Sequence, residues 1–382
     1  MTKLASEKAV VEYVRQARES GMPFEIVGAG TKRDFGRKVM AEELLDVSGL
    51  RGIIKYEPEE LILTAAPGTP IAEIETALAS KGQRLGFEPP DWAALFGAGR
   101  AATLGGVVSA DAFGPARLRF GAARDSLLGF RGVNGFGEAY KAGGKVVKNV
   151  TGFDIPKLMC GAFGTLSVLT ELTFRVFPRG EFSTVLAIRD LQPEAAFAAL
   201  RKVWSSALEP TGLAFVPPCA KFDGLEGGAA LLRIEGAALP LKEKMTALRA
   251  LLKDHKVEEV AQGDALFARI GNGAAFAGRG LDIWRIALPP FEAARVAARI
   301  AAPLWLGDLA GGLLWVGVAR SDEVNLHEIA REAGGHATLL RADEAIRAFV
   351  PVFPPVGEAE AGIARAVKAA FDPLQLFNPG RM

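Results

Sequence analysis

The stretch Gly143-Gly-Lys-Val-Val-Lys-Asn-Val-Thr-Gly-Phe-Asp154, closely followed by Gly161-Ala-Phe-Gly-Thr-Leu166, constrains this chain more than any other. It holds five glycines and no acidic residue before Asp154, and it runs into the apolar segment Leu166–Val176. Glycine lets a backbone approach a flat or phosphorylated ligand and present its N–H groups, at an entropic cost that an ordinary loop avoids. Two more glycine turns lie upstream, Gly28-Ala29-Gly30-Thr31 and Thr103-Leu104-Gly105-Gly106. Three such turns ahead of an apolar strand point to a long ligand gripped mainly by main chain.

Composition narrows the classes. A chain of 382 residues with 49% hydrophobic residues and a mean hydropathy of +0.19 can build two sizeable cores. Its 45 basic and 44 acidic residues nearly cancel, which argues against nucleic acid as a partner. Cys160 and Cys219 are too few for a disulfide framework, an iron–sulfur cluster or a structural zinc. The first residues lack an apolar signal core, and no run reaches the ~18 apolar residues of a spanning helix. The expectation is a soluble, cytoplasmic protein with no direct membrane span.

Punctuation along the chain gives a coarse architecture. Helical spacing covers 7–19, with Ser6 as N-cap and Gly21 as stop. Phe24–Val27 and Leu61–Ala66 read as strands, and a helix follows with Thr69 at the cap, Pro70 at its first position and Gly82 at its end. Ala98–Gly137 reads as tight strands and turns, and Val168–Phe177 as a strand. Between 183 and 320 strands alternate with helices: Thr184–Ile188, 193–206, Ala229–Ile234, 240–254, Asp282–Ala287, 291–301 and Gly311–Val318. This weak two-fold repeat predicts a second α+β domain with antiparallel pairing. Residues 341–370 read as mostly helical. The tail from Phe371, with Pro373 and Pro379, fits neither a regular helix nor a central strand and is expected to dock.

A Rossmann reading of Gly28-Ala-Gly30 fails, because Arg33 occupies the third glycine position and no clean helix follows. Taken in order, the elements resemble another family. Gly28-Ala-Gly-Thr31, Ala66-Pro-Gly68, Phe87-Glu-Pro89, Thr103-Leu-Gly-Gly106, Arg119-Phe-Gly-Ala-Ala-Arg-Asp125, Lys148-Asn-Val-Thr-Gly-Phe-Asp154 and Gly161-Ala-Phe-Gly-Thr-Leu166 are similar to the FAD-binding domain of the vanillyl-alcohol oxidase superfamily, the PCMH-type flavoproteins. Coverage is roughly 20–178 plus the last dozen residues. Within it, the Gly-Gly-Lys-Val-Val-Lys string, the short second domain and the Phe377-Asn-Pro-Gly-Arg-Met382 tail resemble the smaller FAD-binding subunits of bacterial glycolate oxidases.

The resemblance implies an α+β fold: a two-part PCMH-type FAD-binding domain (1–178), a smaller α+β domain of antiparallel sheet plus helices (179–370), and a tail (371–382) returning to the FAD domain. It implies a complex with a larger FAD-binding subunit and an iron–sulfur subunit, oxidising glycolate or another D-2-hydroxy acid and possessing a peripheral place at the inner membrane through that complex. The turns Gly28, Ala29, Gly30, Thr31 and Thr103, Leu104, Gly105, Gly106 would wrap the pyrophosphate, with Lys32 adding charge, and Pro67, Gly68 and Ser109 are further cofactor-binding candidates. Gly121 and Asp125 are further candidates, although Asp125 would equally pair with Arg119. Backbone at Gly152, Gly161, Gly164, Thr165 and Leu166 would lie near the isoalloxazine, with Lys148, Asn149, Thr151 and Asn378 offering side chains. Arg33 reads as a solvated loop charge.

Histidine first occurs at position 255, so the expected FAD is non-covalent. The resemblance offers no metal-binding histidine segment here: His255, His327 and His336 stand apart in sequence. Arg285, in Asp282-Ile-Trp-Arg-Ile286, is the candidate for binding a substrate carboxylate, against a plain strand-edge arginine. Three functional readings remain: a relay or assembly subunit that binds FAD, a self-sufficient 2-hydroxy-acid dehydrogenase, and a flavin-free structural subunit.

Overall fold

The computed structural model describes every residue except 145–152, 223–224 and 226. The chain divides into two compact units. The first takes Met1–Phe113, Gly121–Pro178 and Pro355–Met382, and the second takes Gly114–Phe120 and Arg179–Pro354.

In the first unit, α1 (Glu7–Ser20) buries Val10, Val14 and Ala17 along one side. The Ser6 side chain accepts from the Ala9 N–H, and Gly21 ends the helix in the left-handed region at φ 64°, as the sequence reading expects. Strands β1 (Thr2–Lys3), β2 (Phe24–Val27) and β3 (Glu43–Asp46) form a parallel sheet in the order β1-β3-β2. A second, antiparallel sheet runs β4-β5-β9-β7-β8, with β4 at Ile53–Glu57, β5 at Ile62–Ala65, β7 at Leu127–Val133, β8 at Ala139–Gly143 and β9 at Val168–Arg175. The short pair β6 (Gln83–Arg84) and β10 (Phe177–Pro178) completes the unit's strands.

Two helices here differ from the sequence reading. Helix α2 (Ile71–Ala79) starts after Pro70, and Thr69 does not cap it. The Thr69 hydroxyl instead donates to Ala66 O at 2.7 Å and accepts from Gly52 N at 2.9 Å. The glycine run at 103–106 is no turn: Leu104–Ser109 forms helix α3. Glycine suits it because a Cβ on Gly105 would lie 2.7 Å from the Pro67 side chain.

The second unit carries one eight-stranded antiparallel sheet, ordered β14-β11-β13-β12-β16-β17-β15-β18. Its first half is β11 (Phe182–Arg189), α4 (Pro193–Trp204), β12 (Gly212–Val216), β13 (Ala229–Gly236), α5 (Ala238–Leu251) and β14 (Val257–Glu259). After α6 (Gly263–Gly271), the pattern recurs as β15 (Asp282–Ala287), α7 (Ala293–Ile300), β16 (Leu304–Asp308), β17 (Leu313–Val318), α8 (Leu326–Glu332) and β18 (His336–Arg341). Each half is a βαββαβ unit, and the halves join edge to edge where Phe215 pairs with Gly307. The repeat sensed in the sequence is thus a duplicated motif. Trp284 and Trp315 are buried, and the Trp284 indole N–H donates to Ser321 Oγ at 2.9 Å. Arg233, buried on β13, donates to the Thr211 carbonyl and hydroxyl and sits 3.4 Å from Glu235.

The chain then returns to the first unit through α9 (Glu358–Phe371) and the tail. Phe24 N donates to Leu376 O at 2.8 Å and Asn378 N to Phe24 O at 3.1 Å, so the tail lies parallel beside β2. Phe377 is fully buried with Phe24, Leu45, Val133 and Val168. The expected docking of the tail is what the structure contains. Among the described residues no helix is long and apolar enough to cross a membrane.

Candidate functional site

Within the first unit, the loop that leaves β2, the N-terminal part of α3, the turn before β9 and the tail surround a cleft. Gly28, Ala29, Gly30, Thr31 and Lys32 form one wall, and Pro67, Thr103, Gly105, Gly106 and Ser109 another. Gly164 and Asn378 close it.

Chemistry differs between the walls. Among the described residues, the main-chain N–H groups of Gly28 through Lys32 find no acceptor within the protein. Gly30 takes φ 76°, which a side chain would resist. A row of unsatisfied donors in a concave loop is a nest for an anion. On the α3 side, by contrast, Leu104 N donates to Thr69 O at 2.9 Å and Gly105 N to Pro67 O at 2.7 Å. Those donors are spent on holding two segments together, so the first loop carries the binding capacity.

Side chains reinforce this polarity. Lys32, Arg33 and Arg381 line the cleft, and its described lining includes no carboxylate. Lys32 is 8% exposed, its ammonium 3.3 Å from Thr31 Oγ1 and 5.6 Å from the Trp92 ring centroid. Burial pushes it down to about 8, with the Asp91 carboxylate partly opposing. Arg33 is not the free loop charge of the sequence reading: it grips the buried Glu25 through two hydrogen bonds, which raises its own affinity for protons. Arg381 donates to the carbonyls of Arg37 and Lys32 and so ties the tail to the first loop.

Asn378 is the joint of the closing wall. Its amide accepts from Ile26 N and donates to Phe163 O, both at 2.7 Å. A Cβ on Gly164 would meet that amide at 2.8 Å, and Gly164 takes φ 67°. This glycine serves the joint.

Other expected residues lie elsewhere. Gly68 packs under β3, where a Cβ would sit 2.6 Å from the carbonyls of Leu50 and Val47. Leu104 and Leu166 are buried apolar contacts, and Gly161 donates to Val108 O. The Thr165 hydroxyl donates to Ala162 O at 2.7 Å. Asp125 accepts from Ala122 N at 2.8 Å and thereby shapes the turn at Gly121. It does not pair with Arg119, whose guanidinium is 2.7 Å from Glu209. Lys148, Asn149, Thr151 and Gly152 lie outside the described residues. Cys160 is half-buried, and burial raises its thiol well above the usual range. Sequence reasoning missed Val47, Phe163, Ser167 and Leu169 in the lining. Arg381 carried a signal, its place in the terminal Asn-Pro-Gly-Arg string.

Arg285 stands in the second unit on β15. Its neighbours Trp284 and Ile286 belong to the helix-covered core, so Arg285 projects to the other sheet face. There its guanidinium lies 5.0 Å from the Trp315 ring centroid. The His327 Nε2–H donates to Pro351 O (2.7 Å), and the ring meets Trp284 edge-on. Among the described residues no three His, Cys, Asp or Glu side chains come together as a metal site.

Comparisons with known proteins agree with this geometry. A family model described as an FAD binding domain matches residues 2–143. The glycolate oxidase subunit GlcE of Escherichia coli is 36% identical over 381 residues, covering 98% of this chain and 97% of that one. The glycolate oxidase subunit GlcD of Bacillus subtilis is 29% identical over 43% of this chain and 33% of its own length. Among solved structures, p-cresol methylhydroxylase with substrate bound superposes with a TM-score of 0.72 at 13% identity, covering 100% of this chain and 88% of that one. Alkyldihydroxyacetonephosphate synthase gives 0.71 at 16%, covering 99% and 75%. At those identities the structural likeness speaks to fold alone.

Proposed function

Because this chain belongs to the family of the glycolate oxidase subunit GlcE, an FAD-binding family of PCMH-type oxidoreductases, we propose that it is the FAD-binding subunit of a complex that oxidises glycolate or a related D-2-hydroxy acid. It works with a larger FAD-binding subunit and passes electrons toward an iron–sulfur subunit, at most peripheral to a membrane. The observation that carries the reading is the row of unsatisfied N–H groups at 28–32 beside a buried lysine, in a cleft whose described lining holds no carboxylate.

Bound FAD supplies a two-electron acceptor. The chain's own residues would do the rest. Gly28–Thr31 donate main-chain hydrogen bonds to the pyrophosphate, and Lys32 adds a charge made stronger by its dry surroundings. Gly164 and Asn378 hold the opposite wall. Among the described residues the lining holds neither cysteine nor histidine, and the FAD is read as non-covalent.

Lys32 makes affinity pH-dependent, and the sign follows from its partner. In the apoprotein the ammonium loses its proton near pH 8, whereas the unfolded chain keeps it to about 10.5. Apoprotein stability contributed by this group therefore rises with pH through that window. An adjacent pyrophosphate raises the bound-state value, so FAD binding takes up a proton above pH 8. Titrations by flavin fluorescence should show affinity falling as pH rises from 8, by up to about tenfold per unit. Lys32→Met should bind more weakly and lose this slope.

A second reading, in which this chain oxidises the acid alone, draws on Arg285 as a carboxylate anchor held against Trp315. It makes a separate forecast: Arg285→Met would raise KM for glycolate about tenfold or more with FAD affinity unchanged. The relay reading expects KM in the reconstituted complex to stay within about twofold of the parent.

A further inference from the structure

We infer that Lys368 is a positioning residue of the cofactor cleft, acting through Gly164 and Asn378. Its ammonium donates to Thr165 O at 2.6 Å, to Asp372 Oδ2 at 2.6 Å and to Phe377 O at 3.1 Å. All three of its N–H donors are thus engaged. The acceptors lie on the turn before β9, at the end of α9 and in the tail. Two of them are the immediate neighbours of cleft-lining residues, Thr165 beside Gly164 and Phe377 beside Asn378.

Asp372 anchors the arrangement. It is fully buried and also accepts from Leu376 N at 3.0 Å and Phe377 N at 2.8 Å. A pair that only finished α9 would need Lys368 and Asp372, four residues apart. The bond to Thr165 O reaches 203 residues back along the sequence, and helix capping does not require it. Burial lowers the lysine's proton affinity, and the Asp372 carboxylate partly opposes that. One cation therefore sets the spacing between the glycine turn and the tail, into which the Asn378 amide fits.

This inference rests on the cleft being the FAD site, and the test separates the two. FAD affinity, visible circular dichroism of the bound flavin and carboxypeptidase release of the tail from apoprotein would be measured for the parent, Lys368→Met, Lys368→Arg and Gly28→Val. Phe174→Leu, a buried change in β9, serves as a destabilised control. Lys368→Met is expected to weaken FAD about tenfold or more, alter the flavin dichroism and speed tail release. Lys368→Arg should recover most of the affinity, and Phe174→Leu should leave affinity and dichroism alone. If Lys368→Met matches the parent in affinity and dichroism while Gly28→Val loses FAD, the inference is overturned and the cleft stands. If neither variant affects FAD, both fall.

Discussion

Removal of Phe377–Met382 is expected to abolish FAD binding and the cooperative folding of the first unit. Phe377 is fully buried in the core that joins α1 to β2 and β3, and losing a buried phenylalanine costs about 3–5 kcal/mol. Deletion also strips Asn378 from Ile26 N and Phe163 O, and each buried group left unpaired costs about 1–3 kcal/mol. Those losses compare with about 5–15 kcal/mol for a whole domain. The check is a thermal melt followed by circular dichroism, with flavin retention after gel filtration. A truncated chain that melts as sharply as the parent, within a few degrees, would show that the tail is an accessory. Asn378→Ala, which keeps Phe377, isolates the wall from the core and should weaken FAD by about tenfold or more.

Gly28→Val should cost about 100-fold in FAD affinity while the protein stays folded. An added Cβ would sit 2.5 Å from the Thr103 hydroxyl, which is itself buried at the start of α3. The Thr103 side does not yield cheaply, because α3 is pinned through Leu104 and Gly105 to the 66–69 turn. Relief must come from the 28–32 loop, which has few internal hydrogen bonds to hold it. That displacement moves the donor row. Equilibrium titration with FAD and a melt of the apoprotein distinguish this from global damage: the midpoint should drop only a few degrees.

How far these features were legible depends on the range of the interactions. Helix α1 and its caps are local, and the sequence marks both ends. The duplicated βαββαβ motif was visible as alternation, but β12, β14, β16 and β18 escaped notice. Residues 212–216 are buried at every position, so no two-residue alternation marks them. β18 is fixed by pairing with β15, three strands earlier in the chain, and β16 joins its neighbour β17 to the distant β12. The glycine turns at 28–31 and 103–106 come together in the cleft lining, yet glycine next to a ligand and glycine next to protein look alike in a sequence. Gly30 takes a left-handed turn in the cleft wall, whereas Gly68 and Gly105 exist for packing against carbonyls and Pro67. The pair Arg33–Glu25 turned an apparently free arginine into a structural one, and Arg119 pairs with Glu209 rather than with Asp125. The Lys368 contacts join positions about 200 residues apart, beyond any local signal.

The most direct test of the account is the visible spectrum of the purified chain, before and after acid precipitation, with glycolate and then D-lactate added without oxygen. The account predicts flavin bands near ~370 and ~450 nm that pass into the supernatant, and a flavin that stays oxidised until the partner subunits are present. Bleaching by either acid in the isolated chain would contradict the relay role. A colourless protein that takes up no added FAD would contradict the cofactor cleft itself.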